Sequence, residues 1–307
     1  MAGSSQFVAR RSGAGIRRDE RGVALLIVLL VLVLLVTAVV EFTYGTKLAM
    51  TSAANFRDGT QATYLVKSGI TAARAILRDD ARNSAQDDDL TETWAGPLPT
   101  FSVGDGTVAI AITDESGKIS VNQMAGTDAT RARAVKEMLQ RLLSLLNLNP
   151  AIADLIKDFV DSDTVAEPSG REDSAAKNAK IYSLAELLRI SEITPEVFRK
   201  LAPYLTPTDA FPININTAEP LVLRALHPDL GEEGARRIIE GRPHTDANLP
   251  NIDQTVASAI KAARILGWRS GFFSVRAEGT VHDTIKRAQA LLQRKGDRVE
   301  ILYWQME

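Results

Sequence analysis

The chain is 307 residues long and 45% apolar, with 36 Lys and Arg against 38 Asp and Glu for a net charge of −2. That length supports one large or two small domains with a buried core, and the apolar content excludes disorder as the default state. The absence of cysteine excludes a disulfide framework and thiol chemistry, so packing or a bound ion must stabilise the fold.

Val23 to Val40 is an unbroken apolar run whose one polar member is Thr37. As a helix it is about 27 Å long, close to the roughly 30 Å hydrocarbon core of a bilayer. The run is too long for a signal peptide and no A-x-A-like site follows it, so it stays in the mature chain. Arg10, Arg11, Arg17, Arg18 and Arg21 precede it, and the positive-inside rule therefore keeps residues 1–22 in the cytoplasm and sends the bulk of the chain across. A chain cut after Gly22 loses five Arg with Asp19 and Glu20, which takes its net charge to −5. An acidic exported domain is a poor electrostatic match to nucleic acid.

Helical patterning without proline continues to Pro97, with Leu65, Gly69, Ala72, Ala73 and Ile76 at three- and four-residue spacing. One helix is expected over residues 23–80, with its second half lying on a sheet. The segment NSAQDDDLTETWAGPLP reads as a polar loop. In FSVGDGTVAIAITDESGKISVN, Val108, Ile110 and Ile112 alternate, a turn is expected at Glu115 to Gly117, and Ile119 and Val121 alternate again, which predicts a hairpin. Residues 81–123 thus form the first part of a β domain. Residues 124–269 switch to a helical period, with segments near 128–147, 150–160, 183–190, 195–202, 217–226, 231–240 and 253–266 punctuated by proline and glycine. Strand signals return over 270–307, where Phe273, Val275 and Ala277 share a face. The expected fold class is α+β: a long N-terminal helix packed on a small antiparallel sheet, with a large all-α domain inserted between strands.

The chain resembles the K-type minor pseudopilins of type II secretion systems over nearly its whole length. The residues that carry the resemblance are RGVALLIVLLVL at the leader junction, AITDESGKISVNQM, LIKDFVDSD followed by SGREDS, TPEVFRKLAPYLT, ININTAEPLVLRAL and the closing VEILYWQME, in that order. It implies a pilin-like fold and a leader cut by a prepilin peptidase between Gly22 and Val23, with methylation at the new N-terminus. Val23 departs from the more usual phenylalanine or methionine, and 22 residues is a long leader. Related pilin-type subunits carry glutamate at the fifth mature position, where this chain has Ile27; the nearest acid downstream is Glu41. That glutamate is a buried anion that pairs with the terminal amine of the subunit above. Its absence, shared by the K-type family, implies a place at the tip, and so does the bulk of the insert.

Between Asp154 and Asp173 stand seven acids, Asp154, Asp158, Asp161, Asp163, Glu167, Glu172 and Asp173, against Lys157 and Arg171. On a helix Asp154, Asp158 and Asp161 share a face, and like charges at that spacing cost stability unless a cation neutralises them. Hard oxygen ligands without His or Cys suit calcium. Val165 and Ala166 exclude an EF-hand loop. An acidic loop by itself is more often a solvated surface than a metal site. The resemblance, to a family that binds calcium in its helical domain, favours a structural Ca2+ held by Asp161, Asp163, Glu172 and Asp173, with Asp158 as a fifth candidate.

The stretch ININTAEPLVLRALHPDLGEEGARRIIEGRP also resembles a helix-hairpin-helix DNA-binding unit. Such units grip phosphate through backbone amides, and here Pro228 has no amide hydrogen while Asp229, Glu232 and Glu233 repel phosphate. His227, His244 and His282 show no ligand or catalytic spacing. The resemblance therefore implies a non-enzymatic tip subunit in the bacterial inner membrane, with its bulk in the periplasm, that nucleates a pseudopilus for protein export. Its implied partners are the I- and J-type minor pseudopilins, the major pseudopilin and the prepilin peptidase, with no nucleic acid. The rival readings are a pilus-associated DNA-uptake protein and a signal-anchored periplasmic enzyme.

Overall fold

The computed structural model describes residues 20–83, 87–172, 176–246, 249 and 252–307. It comprises two units, Met1–Arg57 and Asp58–Glu307, and one helix, α1 (Glu20–Asn83), contributes to both. In the first unit the large apolar side chains from Val23 to Val40 are all exposed. Among the described residues α1 is the one helix long and apolar enough to cross a membrane. Water would solvate such a surface poorly, whereas lipid matches it. Thr37 Oγ1 donates to the Val33 carbonyl at 2.9 Å, which satisfies the one hydroxyl in the run.

After α1 the chain forms β1 (Phe101–Val103), β2 (Gly106–Asp114), β3 (Ile119–Ser120), α2 (Ala129–Leu145), α3 (Ile152–Val160), α4 (Pro195–Leu201), β4 (Leu205–Thr206), β5 (Ile213–Asn214), α5 (Pro220–Ala225), α6 (Glu232–Glu240), α7 (Gln254–Ala262), β6 (Leu266–Gly267), β7 (Phe272–Val281), β8 (Thr284–Lys295) and β9 (Arg298–Met306). The main sheet has the order β1-β2-β7-β8-β9, antiparallel throughout. The strands β2 and β7 are neighbours in space, and the helical residues lie between them in sequence. The fold class is the expected one.

The second part of α1 lays Leu65, Val66, Ile70, Ala73 and Leu77 on this sheet, against Val108, Ile110, Val275, Ala277 and Ala290. Two glycines permit the approach. A Cβ on Gly69 would meet Val108 Cγ2 at 2.8 Å, and one on Gly279 would stand 2.7 Å from the Ala62 carbonyl oxygen. The helix therefore crosses β7 at a point where no side chain fits. Trp94, which the sequence places in a polar loop, is fully buried instead, edge-on to Phe273 at 5.1 Å between ring centroids. Its indole Nε1 donates to Glu92 Oε2 at 2.6 Å, so an aromatic plug closes this core with its polar atom satisfied.

The expected hairpin is misplaced. The partner of β2 on its outer side is β1, joined through Gly104 and Asp105 with Gly104 at φ +59°, a turn that needs a residue tolerant of positive φ. Ile119 and Ser120 leave the sheet and pair in parallel with Leu205 and Thr206. Ile119, Ser120 and Val121 are all buried, a pattern that a half-exposed hairpin strand does not show.

The insert has its own core, built from Met138, Leu139, Leu142, Leu143, Ile156, Phe159, Val222, Leu223 and Ile238 among others. Asp128 caps α2 by accepting from the Arg131 amide, and Thr194 followed by Pro195 starts α4. Buried amides sew the irregular segments together. Asn122 Nδ2 donates to the carbonyls of Ile181 and Pro207 at 2.9 and 2.5 Å, and its Oδ1 accepts from the Ile181 amide. Asn216 exchanges two hydrogen bonds with the backbone of His244.

The joint between sheet and insert is polar and buried. Asp114, the last residue of β2, accepts from Ser116 N at 2.7 Å, Ser270 Oγ at 2.6 Å and Thr217 Oγ1 at 2.5 Å. Asn214 Nδ2 donates to the Asp88 carbonyl at 2.9 Å and to Ser270 Oγ at 2.7 Å. Burial pushes the Asp114 carboxyl up to about 6 against these hydrogen bonds, and burial pushes Glu92 up to about 7. Both values lie above the ordinary carboxylate range, so in that window the folded chain holds protons that the unfolded chain has released. Stability should therefore fall as pH rises through it.

Two outcomes are expected. In chelator, the full chain in detergent should melt higher at about pH 5 than at about pH 7.5, and Asp114→Asn with Glu92→Gln should reduce that difference without abolishing it, since other raised carboxyls remain; a melting temperature that rises with pH would contradict the assignment. Gly279→Ala should cost about 1–3 kcal/mol by overpacking α1 against β7, read as a lower melting temperature, whereas Gly59→Ala, where a Cβ meets nothing within 4 Å, should not.

Candidate functional site

The acidic loop follows α3, whose apolar side enters the insert core and whose polar side carries Asp154, Asp158 and, at its C-cap, Asp161. A helix C-terminus is the negative end of the dipole, so a carboxylate there calls for a cation. Asp161, Asp163 and Glu172 each offer an oxygen within 4.8 Å of the others. Oxygens that share one ion at about 2.4 Å are at most about 4.8 Å apart, so the spacing fits a single Ca2+. Both carboxylate oxygens of Asp161 and Oε1 of Glu172 are buried and have no hydrogen-bond partner. Buried charge without partners is costly. Burial first, then Asp163 beside it, pushes the Asp161 carboxyl up to about 6. Asp163 is exposed and accepts from the Val165 amide at 2.8 Å, which fixes the turn.

The other candidates are placed differently. Asp158 stands outside this group: its carboxylate accepts from the Glu167 amide at 3.1 and 3.2 Å. A Cβ on Gly170 would overlap that carboxylate, so glycine is required there. Asp154 accepts from the Ser169 amide at 3.1 Å. The two therefore anchor the loop by its backbone. Asp173 lies outside the described residues. Sequence reading did not assign a role to Glu167, which ion-pairs with Lys136 at 2.6 Å and also with Lys157. No local spacing marks these pairs, which lie 31 and 10 positions apart; the i,i+4 spacing of Lys157 points to Asp161 instead, at 3.7 Å.

A second acid trio, Asp80, Asp88 and Glu92, has the same spacing. Here the chain supplies its own cation, because Arg294 pairs with Asp80 at 2.6 Å and with Asp88. The difference between the trios is that the Asp161 oxygens are left without hydrogen bonds.

The helix-hairpin-helix segment forms α5 and α6, with Arg141 Nε on the Ala225 carbonyl at 2.7 Å. Glu232 and Glu233 occupy the first turn of α6, and hydrogen bonds from Arg236 and Arg237 hold Glu233 down at about 2. A helix start that could bind phosphate is thus negative, with its arginines bound to Glu233. His244 is buried with Nε2 2.8 Å from the Ile238 carbonyl, and His282 Nδ1 lies 3.0 Å from Asp58. Gly22 and Val23 lie in the first turns of α1, and both are exposed.

Two family models described as Type II secretion system (T2SS), protein K, match residues 117–209 and 213–275. Among curated relatives, Type II secretion system protein K of Pectobacterium carotovorum subsp. carotovorum is 27% identical, with 93% of this chain and 96% of that one covered. The protein of the same name from Pseudomonas aeruginosa is 28% identical, with 92% and 91% covered. The fold is shared with a chain in the crystal structure of the GspK-GspI-GspJ complex from the enterotoxigenic Escherichia coli type 2 secretion system. The TM-score is 0.69 at 21% identity, covering 84% of this chain and 99% of that chain. The matched segments take up more than half of the 307 residues, and they contain both the acidic loop and the α5–α6 hairpin: the chain belongs to the type II secretion system protein K family, the K-type minor pseudopilins.

Proposed function

We propose that this chain is a non-enzymatic tip subunit of the type II secretion pseudopilus, anchored in the inner membrane with its bulk in the periplasm. There it helps nucleate pseudopilus assembly and supports protein export across the outer membrane. The observation that carries this reading is α1: an apolar run with Ile27 where related subunits hold an acid, continuing into the helix that packs on the sheet. With no carboxylate in the run, the helix has no partner for the amine of a subunit above it. Its partners on this reading are I- and J-type minor pseudopilins, in keeping with the complex in which the fold neighbour was crystallised, and the major pseudopilin below. Processing by a prepilin peptidase supplies the mature N-terminus.

The insert on this reading holds a structural Ca2+ through Asp161, Asp163 and Glu172, with Asp173 as a further ligand. The unpartnered buried oxygens and the hard donor set support it. The ion supplies positive charge and fills the oxygens' coordination, which stabilises the loop and does no chemistry.

Mature protein recovered from membranes should begin at Val23, and Gly22→Val should leave the leader attached. N-terminal sequencing reads this directly, and a start at Met1 in cells with active peptidase overturns the processed tip subunit. Ile27→Glu should bring no gain in secretion, since no neighbour sits above to use it. Co-expression with the I- and J-type pseudopilins of the same system should yield a copurifying complex.

Calcium should raise the melting temperature of the full chain in detergent, and chelator should lower it. At a hundredfold excess over Kd the stabilisation is about 2.7 kcal/mol. Asp161→Asn with Asp163→Asn should remove most of that response, and magnesium should do less, because it demands a smaller octahedral site. Identical scans with calcium and with chelator would remove the ion from the reading and leave a bare acidic loop.

A further inference from the structure

Lys157 is set on α3 one turn before Asp161, and its ammonium stands between two carboxylates. It donates to Glu167 Oε1 and lies 3.7 Å from Asp161 Oδ2. Glu167 accepts on its other oxygen from Lys136 Nζ at 2.6 Å, and Lys136 in turn reaches Asp154 Oδ1 at 3.3 Å. Asp161, Lys157, Glu167, Lys136 and Asp154 thus form a row of alternating charge across α2, α3 and the loop. Their side chains are between 7% and 22% exposed, too buried for solvent to screen fully.

The row ends in a mismatch. Lys157 is close enough to offset the Asp161 charge but too far to hydrogen-bond with it, and both Asp161 oxygens stay without hydrogen bonds. A divalent ion among Asp161, Asp163 and Glu172 would offset the charge and fill the oxygens together. It would also face the ammonium of Lys157 across a single carboxylate, and like charges at that range repel. Glu167 offers the ammonium an alternative anion that is not shared with the trio.

We infer that Lys157 is the resident counter-ion of the Asp161 site and the residue that sets its affinity for a divalent cation. Without the ion it offsets the Asp161 charge; with the ion it is held by Glu167 alone. Its charge weakens binding, so occupancy follows the calcium concentration around the protein instead of being permanent. Lys136, tied to Glu167 and Asp154 but not to the trio, has no such effect. The inference rests on the calcium reading above and adds to it the group that tunes the site.

The test is calcium affinity of the full chain in detergent, measured by competition with a chromophoric chelator, beside melting temperatures in calcium and in chelator. Lys157→Met, which keeps the stem and deletes the charge, should bind calcium about tenfold more tightly, the scale of one partly screened charge. It should melt lower than wild type in chelator, so the gap between calcium and chelator widens. Lys157→Arg should restore an affinity near wild type, and Lys136→Met should change it less than about threefold. Lys157→Gln serves in place of the methionine variant if that one does not fold. Wild type that takes up no calcium at millimolar concentration overturns the ion site itself. Wild type that binds, with Lys157→Met and Lys157→Gln unchanged or with Lys136→Met tightened equally, leaves the site standing and overturns the role of Lys157.

Discussion

The helical half of the second unit hangs from one strand pair. The chain leaves the sheet at the end of β2 and returns at the start of β7, where Asp114 and Phe273 are register partners, so the insert's two ends must lie side by side. Glu115 N donates to the Phe272 carbonyl at 2.9 Å, which carries the ladder one step past the last strand pair. Beyond that step the backbones diverge, and side chains take over: Asp114 collects Ser116, Ser270 and Thr217, while Asn214 N donates to the Ser116 carbonyl at 2.9 Å. A large domain joined to a small sheet by two strands would swing on them unless such a buried polar knot fixed it. The knot is fully hydrogen-bonded, which is what makes burying a carboxylate there tolerable.

The same economy governs α1. Its first part must present apolar side chains in every direction, while its second part buries one stripe and leaves the opposite face polar. Gly69 and Gly279 let that stripe come within contact distance of the strands, and Arg74 secures the far edge by donating from Nε to the Val299 carbonyl at 2.7 Å. One helix runs without a break from Glu20 to Asn83, with no proline to interrupt it.

Much of this is legible in the sequence, and the parts that are not share a cause. The run Val23 to Val40, the alternation of Phe273, Val275 and Ala277, and the Thr-Pro start of α4 are local patterns, and each folds as its pattern says. The hairpin is hard to place because Val-Gly-Asp-Gly is a turn signal at the edge of a strand, while Asp-Glu-Ser-Gly carries the stronger local turn signal and instead packs on Thr217. Trp94 was hidden by acidic neighbours, since Asp88 finds Arg294 some two hundred positions away. The candidate site divides in the same way. Its acids are visible in order, but which of them hold backbone amides and which stay unpartnered depends on how the loop folds back over α3.

That fold-back sorts the surplus charge. Asp154 and Asp158, the acids nearest the helix interior, accept loop amides, and Glu167 is shared by two lysines. A carboxylate engaged in this way has its charge delocalised over fixed donors and needs no ion. Among the described residues of the loop, Asp161 and Glu172 keep buried oxygens without hydrogen bonds, and Asp163, which accepts the Val165 amide, joins them at the negative end of α3 where backbone carbonyls add to the field. On the calcium reading proposed above, a divalent ion would offset two of these three charges at a place that the loop's own hydrogen bonds have already narrowed. An acidic loop on an ordinary surface spreads its charges into water; this one buries Asp161 and one oxygen of Glu172, which costs stability unless a proton or a cation offsets their charge.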